Sequence, residues 1–154
     1  MAEIFPDEGL DVILDNTFGN GGTPTMPVTV YVGLFSSQTP STVPARTATG
    51  GATPVGWQEV WPTSGIYYRQ AILTSAWGAH STNGNGRKTA GPQVTFTGFV
   101  NGGSAANGYF IATGSASAAG DKVLAFANFD SGVARTLATV SDQLLVTPSV
   151  QLDG

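Results

Sequence analysis

His80 is the only histidine in this 154-residue chain, and cysteine is absent. A Ser–His–Asp triad is formally available because serine and aspartate are plentiful. No Gly-x-Ser-x-Gly elbow or other positional signature accompanies His80, however, and it reads as a residue in or beside a polar loop. Zinc sites draw on several His or Cys ligands, which this composition does not supply; a disulfide framework is excluded with them. Carboxylate-only calcium binding is the remaining metal chemistry. Asp121, Asp130, Asp142 and Asp153 fall at expected strand ends or in loops without EF-hand spacing and read as turn residues. Asp11 and Asp15 stand four apart on one helix face, where like charges repel mildly and face water. Glycoside hydrolysis needs two carboxyls across one bond, and Glu59, the sole glutamate outside the N-terminal segment, has no evident partner. Gly84-Asn85-Gly86 does not follow a strand at nucleotide-binding spacing. No catalytic, cofactor or metal site is expected, and the chain reads as non-enzymatic.

Two further groups of residues invite a binding reading. Trp57, Trp61 and Trp77 suit a sugar-stacking platform, but tryptophan equally fills cores and subunit interfaces; packing or interface is the reading favoured here. Arg87-Lys88 is the only adjacent basic pair and reads as part of a loop. Six Lys or Arg against ten Asp or Glu give a formal net charge of −4. Nucleic-acid binding needs a concentrated cationic face, so it is not expected. Charged residues make up 10% of the chain, against roughly 25% in typical domains. The surface must therefore be built largely from Thr, Ser, Asn, Gln, Gly and Ala, a composition suited to packing into assemblies. No apolar run is long enough to span a membrane, and Met1-Ala2-Glu3 opens no signal peptide, so a soluble cytoplasmic product is expected.

The elements that carry these residues are mostly strands. One helix is predicted over 6–19: Leu10, Ile13, Leu14 and Phe18 recur at helical spacing. Pro6 suits its start, Asp7 and Glu8 suit the positive end of its dipole, and Gly19-Asn20-Gly21-Gly22 ends it. A sandwich is predicted over 28–152. Its first strand, 28–35, has Val28, Val30, Val32 and Leu34 on one face and Thr29, Tyr31, Gly33 and Phe35 on the other; with neither face strongly polar, both should be covered. Long loops are expected at 36–56 and 81–92. Strand segments follow at 65–73, 93–99, 107–113, 122–129 and 143–152. Gly114 to Gly120 has the composition of a hairpin loop, and Pro148 should place the last strand at an edge or break it. The whole predicts a single domain over 1–154, mainly β: an antiparallel, jelly-roll-like β-sandwich with one short N-terminal helix.

Four blocks in this order carry a resemblance. They are Asp7-Glu8-Gly9-Leu10-Asp11-Val12-Ile13-Leu14, then Tyr31-Val32-Gly33-Leu34-Phe35 leading into a Thr/Pro-rich loop. Next come Asn107-Gly108-Tyr109-Phe110-Ile111 with Leu124-Ala125-Phe126-Ala127-Asn128-Phe129, and last Leu144-Leu145-Val146-Thr147-Pro148. The chain resembles a group of small structural proteins of tailed bacteriophages over most of its length. That resemblance implies a virion component on the capsid exterior, a head decoration or cement subunit made in the host cytoplasm. Its expected partners are the major capsid protein and itself, as a homotrimer. The middle of the chain resembles the group least, and a head-fibre or tail module binding a receptor or glycan is the alternative. The interface candidates are Leu10, Ile13, Leu14 and Phe18 of the helix, Tyr31 and Phe35 of the first strand, and Trp57, Trp61 and Trp77.

Overall fold

A computed structural model describes residues 3–18, 27–36, 47, 50, 57–60, 68–83, 86–98, 104–116, 119–129, 134–137, 139 and 141–152. The chain is mainly β, with one α-helix and antiparallel sheets throughout. The central sheet is built on β2 (Thr29–Ser36), β9 (Gly108–Ala112) and β10 (Val123–Asn128), with β1 (Glu3–Ile4) on the outer side of β10. The far edge of β2 is shared by two short strands. β3 (Gln58–Glu59) pairs with Phe35 and Ser36, and β4 (Gln70–Leu73) pairs with Thr29 to Val32. A 3-10 turn, Thr74–Ala76, follows β4. Three smaller sheets complete the described part: β5 (Ser81–Asn83), β6 (Gly86–Ala90) and β13 (Ser149–Leu152); β7 (Val94–Phe96) with β12 (Leu144–Val146); and β8 (Ser104–Ala106) with β11 (Arg135–Leu137).

Both faces of β2 are covered, as its doubly apolar pattern requires. Val30, Val32 and Leu34 join Tyr109, Ile111, Ala125 and Ala127, and onto this face pack Phe96, Val146, Leu137 and Ala106 of the small sheets. The small sheets thus form a second layer, in a sandwich-like arrangement consistent with the one expected. The other face carries Phe35, Phe110, Ala112, Val123 and Phe126, covered in part by Trp57.

The register between β2 and β9 explains two of the recurring glycines. Gly33 lies opposite Phe110 and Phe35 opposite Gly108. A Cβ on Gly33 would collide with the Phe110 ring, and one on Gly108 with the Ala127 carbonyl and the Phe35 ring. Each strand therefore supplies a bare backbone patch on which the other strand's phenylalanine lies. Phe35 and Phe110 are fully buried as a result.

The helix α1 (Asp7–Phe18) begins after Pro6, whose carbonyl accepts from the Gly9 and Leu10 amides. It packs on β10, where the register shifts between Val123 and Ala125. That bulge leaves Leu124 without a cross-strand partner and bends the strand locally. A Cβ on Gly9 would meet the Leu124 carbonyl oxygen, and the Val123 oxygen at 2.8 Å. Glu8 Oε1 accepts from the Val123 amide at 2.7 Å and from the Gly50 amide at 2.6 Å. The Glu-Gly pair is thus a docking device: one residue holds the bulged strand while the next lets the helix approach it.

Several expectations change. The segment 81–92 is no loop over most of its length: β5 and β6 form a hairpin with Asn83 opposite Gly86. The two residues between the strands are Gly84-Asn85, and Gly-Asn separating two strand-like runs is a hairpin signal that outweighs the polar composition. Arg87 and Lys88 consequently lie in a strand, not a loop. Of the loop 36–56, Ser36 ends β2, and only 47 and 50 of the rest are described. The closing segment 143–152 divides at Pro148, giving β12 and β13 in different sheets, as a missing ladder donor dictates. The helix buries a different stripe from the expected one. Gly9 is buried, Leu10, Val12 and Ile13 are half-buried, and Leu14 is 52% exposed.

Gly9→Ala tests the helix docking. Alanine favours a helix interior by about 1 kcal/mol, but a new Cβ against fixed carbonyl oxygens costs about 1–3 kcal/mol. The variant should melt below the parent in a thermal scan followed by circular dichroism; an equal or higher Tm would show that the helix does not sit this close to β10.

Candidate functional site

Arg69 immediately precedes β4, at the point where β3 and β4 divide the edge of β2. Its guanidinium is enclosed by charge. Nε and Nη2 donate to Glu59 Oε1 and Oε2 at 2.9 and 2.8 Å, a two-pronged pair. Nη1 donates to Asp121 Oδ2 at 2.7 Å and to the Gly114 carbonyl at 2.8 Å. The Arg69 side chain is 1% exposed, and those of Glu59 and Asp121 are 2% exposed. Beneath the guanidinium lies Phe110, with the ring centroid 4.8 Å from Cζ, a cation–π contact in a desolvated site. Asp121 completes the frame by accepting from the Gly114 amide at 2.8 Å and contacting the Thr113 hydroxyl at 3.4 Å.

Burial alone pulls the Arg69 pKa down, but hydrogen bonds and Coulombic attraction from Glu59 and Asp121 outweigh it and hold the pKa above its usual value. For a raised cationic pKa, the stabilising contribution is fully present below the unfolded-state value and disappears only as pH rises through the folded-state value. Both lie far above neutrality, so Arg69 remains charged under ordinary conditions. Its donors are directed at Glu59, Asp121 and Gly114. The arrangement serves as a clamp joining β3, the start of β4 and the β9–β10 turn.

This cluster departs from the sequence reading at two positions. Glu59 has a partner, Arg69, ten residues further along. Asp121 is a buried ion-pair member and not simply a turn residue. Asp142 behaves as expected, accepting from the Thr139 amide and contacting its hydroxyl in a tight turn; Asp130 and Asp153 lie outside the described residues. Asp11 and Asp15 face water, and His80 is exposed beside β5. Among the described residues no group of three or more His, Cys, Asp or Glu is placed to hold a metal ion, and no helix is long and apolar enough to cross a membrane.

The interface candidates scatter. Phe35 is fully buried and so is core, not interface. Trp57 packs its ring 4.7 Å from Phe110 and 5.2 Å from Phe126. Trp77 lies against the opposite face of the sheet, so these two tryptophans do not form one stacking platform. Ile13 and Trp77 do come together, lining an apolar groove of about 220 Å³ with Phe5, Leu124 and Val150. Tyr31 and Leu10 are half-buried and Leu14 is exposed; Trp61 and the Phe18 side chain lie outside the described residues. The sequence reading overlooked the apolar side chains that are most open to solvent: Val28 at 74%, Tyr68 at 67%, Leu73 at 55%, Leu145 at 53% and Leu152 at 50%. Strict alternation would have placed Leu73 opposite Ile72, but apolar residues on both faces hid which face is open.

The fold and this cluster define a mainly β protein whose sheet is locked by a buried three-residue ion pair. No protein-family model matches the chain, and no curated protein matches it.

Arg69→Met should destabilise the fold by about 3–5 kcal/mol, because it leaves two carboxylates buried without their counter-charge. Adding Glu59→Gln and Asp121→Asn to it removes the stranded charges and should recover part of the loss in a denaturant titration. If Arg69→Met alone unfolds at the parent midpoint, the clamp contributes nothing.

Proposed function

We propose that this protein is a non-enzymatic structural component of a tailed-phage virion, a decoration or cement subunit on the capsid exterior. The observation that carries the reading is a sheet covered on both faces and clamped by buried charge, combined with large apolar side chains left outside it. Leu14, Val28, Tyr68, Leu73, Leu145 and Leu152 are all at least half exposed. With charged residues at 10% of the chain, few groups keep the surrounding surface strongly hydrated. Such a surface favours stable contacts over repeated turnover of a ligand. The ordered blocks that resemble those of small phage structural proteins suggest the setting, and the same resemblance suggests the major capsid protein and a homotrimer as partners.

The mechanism is stabilisation by surface burial. An interface of ordinary size buries about 1,600 Å², and a few aromatic or aliphatic anchors carry most of its energy. Repetition over a symmetric shell multiplies modest contacts by avidity. Packing of Trp57 on Phe110 and Phe126 favours this reading over a glycan platform.

Particles stripped of the protein should release their DNA at lower temperature, and adding it back should restore them. Leu14→Asp and Leu73→Asp should fold like the parent, since exposed substitutions usually change stability by less than about 0.5 kcal/mol; at least one should lose the power to restore. Unchanged heat stability of stripped particles, together with poor adsorption to cells, would replace this reading with receptor binding.

A further inference from the structure

The strands β11 and β12 are neighbours in sequence, joined through the tight turn that Asp142 holds at Thr139. Neighbouring antiparallel strands ordinarily close into a hairpin. These two do not. β11 bonds only to β8 and β12 only to β7 among the described residues. Between them lies a groove of about 450 Å³, walled by Arg135 on one side and by Leu144, Leu145, Val146 and Thr147 on the other, with Tyr109 and Phe129 contributing to its lining. All three β12 residues and the Thr147 that follows them line it, so the groove runs the length of that strand.

Three features of this groove point to the same occupant. The edge of β12 away from β7 carries no strand among the described residues, and an edge of that kind is a template for a further strand. The lining includes an aromatic pair, Tyr109 and Phe129, with ring centroids 6.4 Å apart. Arg135 is exposed and makes no ion pair or side-chain hydrogen bond among the described residues. We propose that the groove is a strand-addition site for an extended, acidic–apolar segment of a different protein. The segment hydrogen-bonds to β12, lays an apolar side chain on the half-buried Phe129, and gives a carboxylate to Arg135. Strand addition draws affinity from the main chain and specificity from alternate side chains, and a guanidinium fork selects a carboxylate. At about 3.3 Å per residue, four or five residues of the incoming segment span the groove.

A second copy of this chain is the poorer occupant. Eight of its acids lie in described elements or turns: Glu3, Asp7, Glu8, Asp11, Asp15, Glu59, Asp121 and Asp142. The stretches 19–26, 37–56 and 61–67 contain no Asp or Glu. The other two, Asp130 and Asp153, lie in sequence between β10 and β11 and directly after β13.

The test uses the whole protein and a fluorescein-labelled eight-residue peptide of alternating Val and Thr with one central Glu. Fluorescence anisotropy should show saturable binding. Replacing the central Glu with Lys should weaken it about tenfold or more, the loss expected for a charge-assisted hydrogen bond. Arg135→Glu should reverse that preference. Proline at alternate peptide positions, which removes ladder donors, should abolish binding, and amides of 144–146 should gain protection from hydrogen exchange when the parent peptide binds. Because the chain has no cysteine, Leu145→Cys carries a single environment-sensitive dye that reports occupancy even if Arg135→Glu folds poorly. No binding of the Glu peptide, or binding indifferent to both the peptide charge and Arg135, would overturn the proposal. Self-association broken by Arg135→Glu without any peptide would assign the groove to a second copy and overturn it as well. The outcome is independent of the capsid reading, which turns on the heat stability of particles.

Discussion

Two carboxylates and one guanidinium cannot be moved from water into a protein interior unless nearly every lone pair and donor finds a partner, and that constraint organises one whole side of this molecule. Arg69 must reach Glu59, Asp121 and the Gly114 carbonyl at once. Meeting all three fixes how β3 and β4 divide the edge of β2, and where the turn between β9 and β10 sits against them. A buried ion pair is weak evidence for net stability, since desolvation opposes attraction. Its stronger effect is on geometry: any register that separates these three residues leaves a charge stranded. The aromatic face of Phe110 beneath the guanidinium then ties this polar cluster to the apolar packing of Phe126 and Trp57.

The apolar packing depends in turn on small residues placed to let rings and backbones approach. Gly33 and Gly108 accept the Phe110 and Phe35 rings from opposite strands, so the central pair is keyed by shape as well as by hydrogen bonds. One residue of slip would set each ring against a side chain and turn every apolar group to the wrong face. Gly9 performs a similar service for the helix at the β10 bulge, where Glu8 fastens it to the Val123 amide. On the opposite face, the Tyr109 hydroxyl donates to the Ser149 carbonyl and accepts the Ser149 amide, which fixes β13 over the central sheet. The body is locked from both sides by contacts that bring distant parts of the sequence together.

A sheet so fully determined leaves its variation at the edges, and the features that invite partners lie there. Leu73 and Leu145 stand at strand ends or outward-facing positions, and among the described residues β12 pairs on one side alone, with Arg135 across the groove from it. Sparse charge adds to the effect, because few ionic groups keep neighbours at a distance. The proposed role in an assembly draws on both features, the locked interior and the exposed apolar side chains.

Strand type was legible from sequence because it rests on local pattern: apolar alternation, β-branched content and turn residues specify strands without reference to anything distant. The helix, the doubly apolar β2 and the break at Pro148 follow from that local chemistry, as does the mainly β, antiparallel character of the chain. The Gly84-Asn85 hairpin signal was equally local, and polar composition concealed it. The partner of Glu59 was not legible, since ten residues separate it from Arg69 and fifty-two separate Arg69 from Asp121. Nor was the helix face: Leu10 and Leu14 carry the apolar periodicity, but the docking side is chosen by Glu8 and Gly9 meeting a bulge more than a hundred residues away. Spacing along the chain decides which elements form. Only their meeting in space decides which charges neutralise one another, which apolar side chains stay outside, and which strand edge is left unpaired.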